Sequence, residues 1–311
     1  MTQPTPPPLS LDSLLPPDMA KKAEAVGVSK ANLGPFRMLA LAVLAGAFIA
    51  LGAVFMTTVT AGASGVLAYG IARLVGGFAF CLGLILVVVA GAELFTGNNL
   101  IVMAWASRKV STGKLLRNWV IVYAGNFIGA ILTAYGLFLS GQYAFGQGAV
   151  GLQALTIANA KVSLTFTQAV VLGIFCNALV CLAVWLCMSA RTTTDRILSI
   201  LFPISAFVAA GFEHSIANMY FIPVALFIKN GATPAFWENI GKTAADFGNI
   251  TWSNFLVANL LPVTIGNIIG GAVMVGVVYW FVYLRKRPPT TEQHPTPKAT
   301  GSPAAGHSHG D

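Results

Sequence analysis

The sequence predicts an all-α integral membrane fold of six transmembrane helices in two inverted three-helix halves, with the second and fifth helices broken. Three observations carry this reading. The 311 residues are 56% hydrophobic and 9% charged, with a mean hydropathy of +0.75, far from the composition of a soluble domain of that length. Six apolar segments approach or exceed the roughly 20 residues that cross a hydrocarbon core of about 30 Å. A polar octet then occurs twice, once inside the second segment and once inside the fifth.

The spans are read as 36–59, 74–106, 119–140, 168–189, 197–228 and 255–284. They delimit an N-terminal segment (1–35), a transmembrane pore domain (36–284, with repeats over about 36–140 and 168–284) and a tail (285–311). An even number of spans puts both termini on one side. That side carries fourteen Lys and Arg residues, against four (Arg73, Lys161, Lys229, Lys242) on the other, so the positive-inside rule places both termini in the cytoplasm. The net charge of +8 is thereby a topology signal, and it calls for no nucleic-acid partner. The opening MTQPTPPPLS has no basic region or cleavage site, so the first span is expected to stay in the protein. The Pro-rich start and the Pro/Thr/Gly/Ser-rich tail, which holds His307 and His309, read as disordered. Cys81, Cys176, Cys181 and Cys187 lie within apolar spans without CxxC spacing and read as packing residues, so neither metal site nor cofactor is expected.

The octets are Gly91-Ala-Glu93-Leu-Phe-Thr96-Gly97-Asn98 and Gly211-Phe-Glu213-His214-Ser-Ile-Ala217-Asn218, both of the form G-x-E-x-x-x-[GA]-N. Gly125-Asn126-Phe-Ile128-Gly129 in the third span matches Gly266-Asn267-Ile-Ile269-Gly270 in the sixth, and Gly46-Ala-Phe48 is matched with Gly173-Ile-Phe175. Three matches in one order argue for two halves. Since each half has an odd number of spans, the second must be inserted upside down. The octets interrupt their helices at membrane depth, where freed backbone is tolerated only against protein or a wet cavity. Both are therefore expected to be non-helical and to meet along a pathway. Glu93, Glu213 and His214 are the only Asp, Glu, Lys, Arg or His residues well within the spans, and intramembrane charge is functional by default. For Glu93 the expected role is to accept hydrogen bonds from the freed backbone amides.

GAELFTGN, GFEHSIANMYFIP, NALVCLAVW and LPVTIGNIIGG resemble the signature segments of the formate/nitrite transporter family, most closely its bacterial formate channels, from about Lys30 to Arg287. The resemblance implies an aquaporin-like fold, a homopentamer with one pore per protomer, and a multi-pass protein of the bacterial inner membrane lipid bilayer. It implies passage of small monovalent anions, formate above all, with nitrite or hydrosulfide as the alternative. Carried over by position, the central histidine is His214 and the threonine of the broken second helix is Thr96. The neighbouring glutamate is Glu213, the following amide Asn218, the outer-loop lysine Lys161, and the pathway asparagines Asn177 and Asn267. The apolar constrictions fall on Phe80, Leu84, Leu94 and Phe207.

A narrow apolar pore makes an unpaired anion expensive. Two remedies are open. The positive ends of the half-helices near Gly97 and Ser215, with Thr96 and His214, can stabilise the anion, which Lys161 concentrates at the outer mouth. Alternatively a proton supplied at or near His214 lets formate cross as formic acid. Neither remedy makes the protein an enzyme. The catalytic alternative is an intramembrane serine protease built on Gly62-Ala-Ser64-Gly65 and His214, but a tetrapeptide without its structural context is weak support.

Overall fold

The computed structural model describes residues 13–285, and all regular structure among them is helical. The Pro-rich start lies largely outside the described residues, and the first element, α1 (Pro16–Ala31), arises in the N-terminal segment to which the sequence assigned no helix. Proline at its first turn suits a helix start, and Met19, Ala20, Ala23, Gly27 and Ala31 form one buried stripe. That stripe packs on Leu100, Met103 and Trp185. Tethers reinforce it: Lys22 Nζ donates to Met188 O at 2.8 Å, Arg117 donates to Ala31 O and Leu33 O at 2.8 and 3.0 Å, and Lys109 pairs with Glu24. The predicted tail, with His307 and His309, lies outside the described residues.

Then come α2 (Pro35–Thr60) and α3 (Tyr69–Val89), a gap, the short α4 (Phe95–Asn98), a 3-10 turn over Asn99–Ile101, α5 (Val102–Ala106) and α6 (Thr112–Leu139). Next are α7 (Ala149–Val162), which the sequence reading left as linker, α8 (Phe166–Ser189), α9 (Thr193–Ala209), a second gap, α10 (Ser215–Gly231) and α11 (Pro234–Ile240). The last long helix starts as a π-helix (Asn254–Leu260), continues as α12 (Leu261–Ile268), widens again over Ile269–Val277 and closes with α13 (Val278–Tyr283). Polar caps fix several starts. Thr165 with Gln168 and Thr192 with Asp195 form reciprocal capping boxes ahead of α8 and α9.

Among the described residues, five helices are long and apolar enough to cross a membrane: α2, α3, α6, α8 and the composite Asn254–Tyr283. The segment expected as a fifth span is instead two helices of 17 residues each, α9 and α10. At 1.5 Å per residue each is about 26 Å long, short of a full crossing. The helices pack closely through small residues. A Cβ added at Gly129 would lie 2.0 Å from Val43 O, and one at Gly270 2.1 Å from Ile174 O, so α2 meets α6 and α8 meets the last helix nearly backbone to backbone.

Candidate functional site

The two gaps are narrower than the octets that announced them. Residues 90–94 and 210–214 leave the helix, while Phe95 and Ser215 already begin the next ones. Each preceding helix ends with the same long bond: Ala92 N–H bonds Val87 O at 2.9 Å and Phe212 N–H bonds Phe207 O at 3.0 Å. These are the long closing bonds of a Schellman cap, with Gly91 (φ 84°) and Gly211 (φ 78°) in the left-handed conformation it needs. The chain then runs extended through Leu94 and His214.

Freed backbone in both gaps is satisfied by the same pattern. Glu93 N–H donates to Leu41 O at 3.2 Å, and Glu213 N–H to Leu172 O at 3.3 Å. Asn126 Oδ1 accepts from Phe95 N–H at 2.9 Å, while its Nδ2 donates to Ala42 O and Glu93 O at 2.7 and 2.9 Å. Asn267 repeats this with Ser215 N–H at 2.9 Å, Gly173 O at 2.8 Å and Glu213 O at 2.9 Å. Both asparagines are fully buried, and these bonds occupy both ends of each carboxamide. Asn267 is therefore a brace of the gap, where the family resemblance had placed a pathway residue. Asn177 is likewise buried, its amide donating to Asn99 Oδ1 (3.0 Å), Asn267 O (2.6 Å) and Thr96 O (3.3 Å).

The glutamates bind side chains, which corrects the backbone role expected of Glu93. Its carboxylate accepts from Lys30 Nζ at 2.7 Å and from Asn98 Nδ2 at 2.7 Å, and Asn98 also donates to Asn118 Oδ1 at 3.0 Å. In the second half Glu213 accepts from Lys161 Nζ at 2.8 Å and from Asn218 Nδ2 at 2.7 Å, with Asn218 donating to Asn259 Oδ1 at 2.8 Å. Lys161 is thus a helical residue of α7 whose charge is already paired, in contrast to the anion-collecting loop lysine expected. The correspondence sets Lys30 against Lys161 and Asn118 against Asn259, three positions the sequence reading did not connect to the octets and a fourth, Lys161, it connected to another role. It also sets Ala42, rather than Gly46, against Gly173, so the Gly46–Gly173 match is displaced by about one turn of helix.

The octets also differ chemically: His214 stands where the first half has Leu94, Ser215 where it has Phe95, and Ile216 where it has Thr96. His214 Nδ1 accepts the Ala217 N–H at 3.0 Å, capping α10, so the ring proton of the neutral imidazole sits on Nε2. Nε2 lies 3.0 Å from Thr96 Oγ1, and in this tautomer it donates to the hydroxyl. Residues 118 positions apart in the chain, one from each octet, thereby meet in the buried centre.

Beside His214 opens a cavity of about 220 Å³, whose wall includes Arg73, Phe80, Lys161, Phe207 and Glu213. Phe80 and Phe207 meet edge to face with centroids 5.7 Å apart, and Phe207 stacks on the His214 ring at 5.9 Å. Of the predicted residues, His214, Lys161, Glu213, Phe80 and Phe207 share this wall. Thr96, Asn177, Asn218, Asn267, Leu84 and Leu94 are buried behind it. On the Lys30 side a void of only about 30 Å³ lies between α1, Gly97 and Met188. Ser64 occupies the exposed turn between α2 and α3 and does not line the cavity that holds His214. No group of three or more potential metal-binding side chains occurs among the described residues.

Membrane-length helices enclosing a small, partly polar cavity define an integral membrane protein of the channel and transporter class. The sequence model of the formate/nitrite transporter family matches residues 17–281, and the chain belongs to that family. It is 49% identical over 275 residues to the formate channel FocA of Escherichia coli K12, covering 88% of this chain and 96% of that one. Identity to FocA of Haemophilus influenzae is 41% over 269 residues, covering 86% and 94%. A solved structure described as a pentameric formate channel with formate bound superposes with a TM-score of 0.77 at 46% identity, over 81% of this chain and 98% of that one.

Proposed function

We propose that the chain is a formate channel of a bacterial cytoplasmic membrane, with six crossings in two inverted halves, assembled as a homopentamer with one pathway per protomer. Five crossings are the long helices. The remaining one is shared by the half-length α9 and α10 with the gap between them, and α3 with α4 and α5 forms the matching broken segment. The formate reading rests on relatives named as formate channels at 41–49% identity, which favours it over nitrite or hydrosulfide. Pentameric assembly is supported by the likeness to a formate channel that is itself pentameric. Large apolar residues left exposed on the protomer, such as Leu132, Phe202 and Val257, supply surface for lipid and for neighbouring copies.

The observation that carries the mechanism is the neutral His214 with its Nε2 hydrogen aimed at Thr96, set directly behind the Phe80–Phe207 pair. Burying a bare carboxylate between aromatic rings costs far more than burying a neutral acid. Formate gathers in the cavity, is met by hydrogen bonds at His214 and Thr96, and takes there a proton that hydronium delivers from the aqueous side, so that formic acid is the species crossing the constrictions formed by Phe80, Phe207, Leu84 and Leu94. His214 serves as the hydrogen-bond donor that holds the anion while the proton arrives through water, because the neutral ring cannot give up its Nε2 proton outright without leaving an imidazolate, and Nδ1 cannot take up a replacement while it faces the Ala217 N–H. Glu213 and Asn218, held by Lys161 and Asn259, keep the gap rigid, and Asn177 and Asn267 fix the two half-helices against each other.

Reconstitution into liposomes tests the reading. Uptake of formate, nitrite and acetate is followed together with luminal pH, against protein-free liposomes. Formate is expected to enter fastest and to acidify the lumen in step with its entry. No formate flux above the lipid background, or faster nitrite flux, would reject it.

A further inference from the structure

We propose that Arg73 is the anion-collecting residue of the cavity on the Lys161 side, a role that rests on the formate reading above. The charges on that cavity's wall are few. Lys161 and Glu213 form an ion pair at 2.8 Å and cancel. His214 uses Nδ1 as an acceptor and is neutral. Arg73 remains, and among the described residues no carboxylate pairs with it. The cavity therefore carries a net charge of about one positive unit, and that unit is the guanidinium.

Its anchoring suits the task. Arg73 projects from the start of α3 to the end of α9, where its Nε–H donates to Ala209 O at 3.3 Å and its Nη2 to Val208 O. A Cβ added at Gly211 would lie 3.5 Å from Nη2, so the group rests on the gap itself. The last carbonyls of a helix hold a cation favourably. Five N–H bonds radiate from a guanidinium. Two are spent on these carbonyls, which immobilises the plane, and the other three have no partner among the described residues. A fixed, planar, permanently charged fork at a cavity wall suits a carboxylate better than a mobile ammonium does, and it draws the anion to the place where His214 and Thr96 receive it.

The alternative is that Arg73 only straps α3 to α9. The two roles separate in formate uptake by proteoliposomes across a range of impermeant-salt concentrations, comparing wild type, Arg73→Gln and Arg73→Lys, with pentamer content checked for each. A collector predicts that Arg73→Gln raises the half-saturating formate concentration roughly threefold to tenfold at low ionic strength, leaves the maximal rate near wild type and flattens the salt dependence. Arg73→Lys, which keeps the charge, should recover most of the low-salt uptake. The proposal falls if Arg73→Gln matches wild type at low salt, or if both variants lose maximal rate alike while the salt dependence persists, which is the mark of a strap. Wild-type protein carrying no formate would instead defeat the formate reading, and this proposal with it.

Discussion

The Lys30 and Lys161 ends of the molecule share a scaffold and differ in what lies over it. At each end a helix stops at a glycine, an asparagine braces the extended stretch, and a glutamate is clamped by a lysine and an amide pair. Yet one end opens into a cavity of about 220 Å³ and the other holds a void of about 30 Å³. The lysines explain much of the contrast. Lys161 comes from α7, whereas Lys30 comes from the end of α1, whose buried stripe lies across Leu100, Ile101 and Gly97 and fills the space. The scaffold holds the gaps open against collapse, and the elements laid on it set access. Chemistry differs too, since among the mismatched positions a proton-bearing imidazole, His214, replaces a leucine, Leu94.

If the clamps are equivalent and differ only in cover, removing either glutamate should be the most damaging change, and unequally so. Glu213→Ala strands Lys161, whose side chain is 15% exposed, and should cost about 3–5 kcal/mol. Glu93→Ala should cost less, because Lys30, at 28%, is nearer to water. Thermal unfolding in detergent micelles ranks the two, and a reversed order would break the equivalence. A smaller, symmetric effect is expected at the backbone contacts. Gly129→Ala and Gly270→Ala face carbonyls at 2.0 and 2.1 Å and should each lose about 1–3 kcal/mol, equally within error in the same melts. The smallest effect lies outside the repeat. Asp195 accepts from the Thr192 and Arg191 amides, which holds its carboxyl below the usual aspartate range. A lowered folded value means that the cap contributes fully above the unfolded value of about 3.9 and is lost as pH falls through the folded one. Hydrogen exchange at the start of α9 should therefore quicken only in that acidic window.

What the sequence displayed and what it concealed follow from chain register. Glu93 and Asn98 lie five residues apart in one unbroken stretch, as do Glu213 and Asn218, so their repeat is visible by inspection. The loops between elements differ in length from one half to the other, and Lys30 and Lys161 sit beyond those loops at another offset, whereas Asn118 and Asn259 keep the spacing of Asn126 and Asn267 and were legible by extending that match. Comparison at the octets' offset therefore misses the lysines, and the same shift misaligned Gly46 with Gly173. Lys-x-x-Leu just before a long apolar helix, at Lys30 and again at Lys161, was the available signal. The helices α1 and α7 escaped notice because both are short and only moderately apolar, and their burial depends on partners distant in the chain. Roles assigned to Asn267 and Lys161 by resemblance changed once hydrogen-bond partners were known, which no linear pattern records.

The proposed mechanism turns on His214 as the residue at which formate takes up its proton. Asparagine is a good helix cap, so His214→Asn retains an acceptor for the Ala217 amide and is expected to assemble normally, but it has no ring proton to offer. Formate uptake, membrane current and luminal pH recorded together in liposomes holding this variant test the claim most directly. Protonation of formate held at His214 predicts that acidification coupled to uptake collapses and that any remaining flux is carried as current by the bare anion. Uptake with unchanged rate, unchanged acidification and no added current would contradict it.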